Sequence, residues 1–491
     1  MSKKRRFIAW NILGIFVIWC SVLLSITTSS FYAEESNQNK QQATVQLTLN
    51  PENQYQKISS FGASGAWWAQ DVGGWIDQEG DQTKRDKIAQ LLFDTKDGIG
   101  LSSYRYNLGA GSADTNNSPK ITDPWRKAEN FEKEPKQYDW TKDKNAQYML
   151  NQAVNYGIKD IYLFANSPLE RLTKNGSAYG SNINGSTSNL AKENYQEFAD
   201  YLLDVTEHFI KQGIPVTSLS PINEPQWEWT SGQEGCHYNP KEMVDFAKFI
   251  YKEKEKRKTL QQLEISVPEL GEWMNSSQNY YQAMASDTEF MQAYPTWDIH
   301  SYWSSKEAKQ KFNQWLDNNH INVGLKMTEW TEMVNGKDTS MKSALTLANQ
   351  IHEDLTLLDV TTWQYWIAVS CYDYHDGLIY VDLNNHNVEP AKRLWSMGNF
   401  SKFIRPGAKR FEVTVNDDQI NTVGFIDEKT NQKIIICINN RSKDSTIELP
   451  EGTVAKSAYV TSENSDLKQV LNQESTKVTL SGASVTTLIC N

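Results

Sequence analysis

A chain of 491 residues is too long for one ordinary domain and suits a large barrel carrying a smaller module. Its formal net charge of −11 argues against nucleic acid as a partner, because phosphates would be repelled, and disfavours a polyanionic glycan. Hydrophobic residues make up 39%, enough for a real core, and 17 Trp with 22 Tyr exceed what that core needs; surplus flat, apolar faces stack well on flat ligands.

Lys3, Lys4, Arg5 and Arg6 precede an apolar run from residue 7 to about 26, the pattern of an export leader. The run is long enough to span a bilayer, and Phe31 stands at −3 of a cleavage point after Ala33, where a small residue is preferred. Residues 1–33 therefore read as a cleaved signal or as a retained anchor, with membrane attachment through residues 7–27. The rest is expected outside the cell, secreted or held at its surface, as a monomer. Residues 34–43 are polar and aperiodic, a flexible stalk. Cys236, Cys371, Cys437 and Cys490 are too scattered for a disulfide framework or a zinc spacing and read as small hydrophobes.

Residues 44–49 alternate apolar and polar, which predicts a strand. From residue 58 to 404, short apolar runs alternate with amphipathic helical stretches. The runs cover 60–63, 101–107, 161–165, 217–222, 263–267, 297–302, 323–328 and 363–369; helices are predicted at 192–210, 241–254 and 341–358. Eight β-then-α units call for a parallel sheet and predict an α/β fold, a (β/α)₈ barrel, with a doubly wound open sheet as the rival. From residue 405 to 491 short β-rich segments separated by turns predict a β-sandwich, which the strand within 44–57 is expected to join.

The strongest chemical signal is Ser220-Pro221-Ile222-Asn223-Glu224-Pro225, an apolar strand that ends in Asn-Glu and is stopped by Pro. In a barrel, the C-terminal strand ends project into the mouth. A second apolar run delivers Glu329 in Lys326-Met327-Thr328-Glu329-Trp330. Two strand–helix units separate them, so Glu224 follows strand four and Glu329 strand seven, which face one another. Two carboxyls there can flank one glycosidic bond. About 5 Å between them implies an acid/base with a nucleophile and retention; about 6.5–9.5 Å implies inversion. Glu224 is expected to be the acid/base and Glu329 the nucleophile.

Other strand ends supply candidate contacts to a sugar: Trp67 and Trp68 after strand one, Arg105 after strand two, Asn166 after strand three, Asn223, His300 and Tyr302 at strand six, Trp330, and Trp366 at strand eight. Tyr302 and Arg105 can also hold the nucleophile ionised. Glu228, Glu234, Glu269, Glu272 and Glu332 compete as carboxylates. Cys236-His237 has no second pair at ligand spacing, so no metal is expected. Phosphate-binding and dinucleotide-binding glycine motifs are absent, as is a serine nucleophile elbow, and no cofactor is expected.

These two glutamate segments resemble the catalytic strands of the clan A retaining glycosidases. Phe61-Gly62-Ala63-Ser64-Gly65-Ala66-Trp67-Trp68, Gly98-Ile99-Gly100-Leu101-Ser102-Ser103-Tyr104-Arg105, Asn166-Ser167-Pro168, Met397-Gly398-Asn399-Phe400 and Ser484-Val485-Thr486-Thr487-Leu488 resemble segments of glycoside hydrolase family 30. The resemblance implies a barrel with a side β-sandwich built from both chain ends, and cofactor-free double displacement on an oligo- or polysaccharide. The Trp67-Trp68 pair and the Gln233-Glu234-Gly235-Cys236-His237 loop look most like the β-1,6-galactanase branch, acting inside chains or from their ends. The third-strand loop departs from the pattern, reading Pro168-Leu169-Glu170-Arg171 where many members carry an aromatic and a Met. Glucosylceramidase-like, β-1,6-glucanase and xylanase activities are the alternatives within the class; an inactive surface glycan-binding protein is the alternative outside it.

Overall fold

The computed structural model describes residues 44–181 and 187–491. The leader and stalk expected over residues 1–43 lie outside the described residues. Among the described residues no helix is long and apolar enough to cross a membrane.

The barrel strands are, in order, Ser60–Ser64, Ser103–Asn107, Asp160–Phe164, Val216–Ser220, the pair Glu264–Ile265 and Pro268–Leu270, then Thr296–Ile299, Gly324–Met327 and Thr362–Tyr365. They form one parallel sheet that starts at Glu264–Ile265 and ends at Pro268–Leu270. Those two segments are halves of a single fifth strand. Ser218 and Leu219 of strand four pair with Glu264 and Ile265, while Pro268 and Leu270 pair with Asp298 and Ile299 of strand six. The sheet therefore closes on itself. The run expected at 263–267 is only the first half of this strand. Periodicity extends no further because the chain turns there: Glu269 has a left-handed φ of 53°.

Both faces of the strands are covered, so they read as nearly unbroken buried runs. The helices pack around them on apolar stripes. Pro240–Glu255 begins at a capping box, in which the Asn239 side chain accepts from the Glu242 backbone N–H and Glu242 returns the bond, with Pro240 at the first helical position. Tyr195–Lys211 buries Phe198, Leu202, Val205 and Phe209 along one side.

The second sheet has nine strands and includes the first and last strands of the described residues. Val45–Lys57 pairs antiparallel with Lys409–Val415 through Leu47↔Val415 and Leu49↔Val413, and parallel with Ser445–Glu448 through Val45↔Ile447. Strands distant in the sheet order share one core of Val45, Leu47, Ile435, Cys437, Ile447 and Leu488, so the sheet folds over into a sandwich. The strand Gln432–Asn439 is buried on both faces: Ile435 and Cys437 point into the sandwich, Ile434, Ile436 and Ile438 towards the barrel. Cys236, Cys437 and Cys490 are buried and unpaired, and Cys371 is half-buried and unpaired.

Candidate active site

Strand four ends at Ser220, whose side-chain hydroxyl donates to the Ile222 carbonyl at 2.9 Å. The chain then turns sharply. Glu224 adopts a left-handed φ of 43°, which costs a non-glycine residue about 1–2 kcal/mol. Three hydrogen bonds hold it: its N–H donates to the Glu269 carbonyl at 2.8 Å, and its carbonyl accepts from Trp227 N–H at 3.2 Å and Trp229 Nε1 at 3.0 Å. Across the barrel, strand seven runs straight into Thr328 and Glu329, both buried. Carboxylate oxygens of Glu224 and Glu329 approach within 4.8 Å.

Arg105 lies beneath both, fully buried over the face of Phe164 at 3.8 Å. Its Nη1 donates to Glu329 Oε2 and its Nη2 to Asn223 Oδ1 at 3.1 Å, with Glu269 Oε2 at 3.6 Å. Tyr302 donates its hydroxyl to Glu329 Oε1 at 3.1 Å. His300 bridges two other carboxylates: Nδ1 lies 3.0 Å from Glu224 Oε1 and Nε2 lies 3.0 Å from Glu269 Oε2. Thr328 Oγ1 also donates to Glu269 Oε2.

The charges follow from this packing. Burial alone would lower His300, but the Glu329 charge and the bonds to Glu224 and Glu269 outweigh it and raise the ring to about 10. Burial alone would raise Glu269, but Arg105, His300 and Thr328 hold it down to about 2. Glu224 goes the other way: burial lifts it above the ordinary carboxylate value, and the Glu329 charge adds to that. Tyr302 is pushed well up, first by burial and then by Glu329, so it stays a donor. Glu224, His300 and Glu329 are close enough to share a cation. An imidazolium with both nitrogens facing carboxylates has no lone pair for a metal, however, and Arg105 already supplies positive charge.

A cavity of about 680 Å³ opens over the two carboxylates, with Trp67, Asn166, Asn223, Tyr302 and Trp366 on its wall. Trp67 and Trp366 meet edge to face at 5.0 Å. Four other expected sugar contacts are not on that wall. Trp68 is core: it is fully buried, its Nε1 donates to the Ser64 carbonyl at 2.8 Å, and it packs on Tyr104. Trp330 packs on Trp363 and Tyr365. Arg105 and His300 are completely buried and touch the carboxylates from behind, out of reach of a ligand.

The competing carboxylates also find places. Glu269 belongs to the network, where Arg105 and His300 hold its carboxyl down. Glu234 accepts from Ala110 N–H at 2.9 Å, from Ser112 N–H at 3.2 Å and from Ser112 Oγ at 2.6 Å, and burial raises it to about 7. Glu272 accepts from Ser276 N–H at 2.8 Å, Glu332 faces His375 at 3.1 Å, and Glu228 lies 4.0 Å from His237. In the third-strand loop, Glu170 accepts from Thr115 and Ser118, while Arg171 pairs with Glu132 at 2.6 Å and Glu197 at 2.8 Å. The departure from the pattern at residues 168–171 thus turns away from the cavity.

Sequence reasoning missed much of the outer wall: Arg126, Trp227, Trp229, Gln233, Trp303, Met333, Tyr372, Asp373, Tyr374 and Asp376. Trp227, Trp229 and Trp303 lie within a few residues of Glu224 and Tyr302, which was the available signal. Gly271, at the end of strand five, was also overlooked. A Cβ there would lie 2.7 Å from Gln226 Nε2, 2.8 Å from Glu224 Oε1 and 3.0 Å from Trp227 Nε1. Gly271→Ala is expected to move the Glu224 carboxyl and reduce kcat by about 10²-fold, with an unfolding midpoint near that of the wild type. Steady-state rates measured alongside thermal unfolding check this.

A closed parallel barrel with two carboxyl groups meeting at its mouth, one ion-paired with Arg105 and the other raised by burial, is the arrangement of a glycoside hydrolase. Residues 44–302 and 303–380 match the family described as O-Glycosyl hydrolase family 30, and the chain belongs to that family. It is 25% identical over 438 residues to an endo-beta-1,6-galactanase of Hypocrea rufa, covering 82% of this chain and 83% of that one. It is 25% identical over 298 residues to the glucuronoxylanase XynC of Bacillus subtilis, covering 58% and 63%. Among solved structures, a conserved exported protein from Bacteroides fragilis matches with a TM-score of 0.80 at 23% identity, covering 90% of this chain and 99% of that one.

Proposed function

We propose that this enzyme hydrolyses β-1,6-linked galactan by double displacement with retention, Glu329 serving as nucleophile and Glu224 as acid/base. The carrying observation is the approach of the two carboxyls within 4.8 Å, near the spacing of retaining enzymes and well short of the roughly 6.5–9.5 Å an inverting enzyme needs to admit water. Arg105 and Tyr302 direct a guanidinium and a donated hydrogen bond at the two oxygens of Glu329 and hold it facing the cavity. Burial raises Glu224 above the ordinary carboxylate value, the direction a general acid needs.

In the first step Glu329 forms a bond to the anomeric carbon as the glycosidic C–O bond breaks, and the Glu224 proton passes to the leaving oxygen. In the second, Glu224 takes a proton from water. The water oxygen bonds to the anomeric carbon, and Glu329 leaves as a carboxylate. Asn223 is held by Arg105 beside this centre, in position to meet a sugar hydroxyl. Trp67 and Trp366 offer an apolar floor for the ring.

The likeness to the Hypocrea rufa galactanase, which spans most of both chains, supports galactan as substrate. The shorter likeness to a glucuronoxylanase keeps xylan as the second reading. The protein acts outside the cell, secreted or surface-held, a reading supported by the basic and apolar start of the chain. One chain supplies every catalytic group, which supports action as a monomer. The test is product analysis of wild type, Glu224→Gln and Glu329→Gln on β-1,6-galactan, β-1,6-glucan and xylan, with the anomer of the first product followed by NMR. Release of β-configured galactose or galacto-oligosaccharides by the wild type alone is the expected result. An α-configured first product would refute retention, and sugar release confined to xylan or glucan would refute galactan.

A further inference from the structure

Trp303 is 59% exposed, among the described residues the second most open of the large apolar side chains after Ile76. It is held at a left-handed φ of 48°, a conformation that a bulky residue adopts at a cost. Its ring meets Trp227 edge to face at 5.7 Å and 87°. Both rings line the catalytic cavity.

Their position relative to the chemistry can be fixed. The Trp227 Nε1 and Glu224 Oε1 both lie within 3.0 Å of the point where a Gly271 Cβ would stand, so this indole flanks the acid carboxyl at the end of strand five. Trp303 leans on it from the end of strand six. In a ring of eight strands the fifth lies opposite the first. Trp67 and Trp366, after strands one and eight, therefore occupy the far side of the mouth. The acid gives its proton to the leaving oxygen, so the departing part of the glycan exits on the acid's side.

We propose that Trp303 and Trp227 form a stacking platform for the first sugar ring on the leaving-group side of the scissile bond, so that the enzyme selects a glycan chain over a small leaving group. This rests on the hydrolase reading but not on which sugar is cleaved. An apolar ring face laid on an indole gains contact without needing a directional partner. That makes the platform tolerant of sequence along the chain. It also accounts for an indole left open to water at a strained position.

The experiment compares Trp303→Ala, Trp303→Phe and wild type on two probes: a β-1,6-linked galacto-oligosaccharide, and β-galactosyl fluoride, whose leaving group is too small to reach the platform. Trp303→Ala is expected to lose about 3- to 10-fold more kcat/KM on the oligosaccharide than on the fluoride, mostly through KM, and Trp303→Phe to recover part of it. Equal losses on both probes, or none on either, would overturn the platform. If wild type cleaves neither galactoside, the galactan reading has failed instead. The same ratio is then read with glucosyl or xylosyl fluoride and the matching β-1,6-gluco- or β-1,4-xylo-oligosaccharide, where equal losses again overturn the platform.

Discussion

Replacing Glu329 by glycine is expected to cut turnover on the order of 10⁴- to 10⁶-fold, the scale seen when a covalent nucleophile is removed, and sodium azide should restore much of it. The restored product is the diagnostic. With Glu329 absent, azide enters on the face the carboxylate occupied, while Glu224 still protonates the leaving oxygen. A β-glycoside then yields an α-glycosyl azide, inverted. The Glu224→Ala variant gives the mirror result. There Glu329 still forms the covalent intermediate, azide attacks it from the opposite face, and the product is a retained β-glycosyl azide. Mass spectrometry and NMR of the two azides assign the roles without depending on rates. A β-azide from Glu329→Gly would exchange the assignments.

Leaving-group dependence gives the same pair a second check. General acid assistance contributes about 10²–10⁴-fold where the leaving group needs a proton. A glycosyl fluoride needs much less help than a sugar alcohol. Glu224→Ala should therefore suffer far more on an oligosaccharide than on the fluoride, whereas Glu329→Gly, in the absence of azide, should suffer on both.

The parts of this site that the sequence displays are those at the ends of regular strands. Glu224 and Glu329 each follow an unbroken apolar run, and the β–α count between them places them on facing strands. Glu269 lies behind them, fully buried against His300 and Arg105, yet its strand is broken at residues 266–267, and its left-handed φ removes the alternation that would have marked it. Its role depends on contacts with Arg105, His300 and Thr328, which are 164, 31 and 59 residues away in the chain. Trp67 and Trp68 show the other limit. Adjacent residues of one type, they differ in that one reaches the cavity and the other donates to its own strand's backbone. Composition cannot separate them, because the distinction is set by the turn after Ser64. Residues 434–438 read only as one of several short β segments; that both of their faces are buried depends on the barrel packing against the sandwich, which the local pattern does not show.

Arg105→Met should destabilise the protein by about 3–5 kcal/mol at neutral pH, the usual result of stripping the partner from a buried charge. The reason is electrostatic: the Arg105 guanidinium bonds Glu329 and is the largest influence holding Glu269 down, while burial pushes Glu224 up. Methionine keeps the length and packs on Phe164, but His300 alone then faces Glu269 and Glu329. Glu269 is held down to about 2, with Arg105 the largest influence lowering it. A carboxyl depressed in the folded state adds stability that is complete above its unfolded value, about 4.5, and is lost as pH falls through its folded value. In the variant the folded value rises, so that increment shrinks. The gap between wild type and Arg105→Met should therefore be widest above pH 4.5 and narrow towards pH 2. Urea unfolding midpoints at pH 7, 5 and 3 measure it. The Arg105→Met/Glu269→Gln double variant should recover part of the loss by removing one of the stranded anions. A gap that stays constant with pH, or a double variant less stable than the sum of its parts, would show that packing rather than charge is what Arg105 supplies.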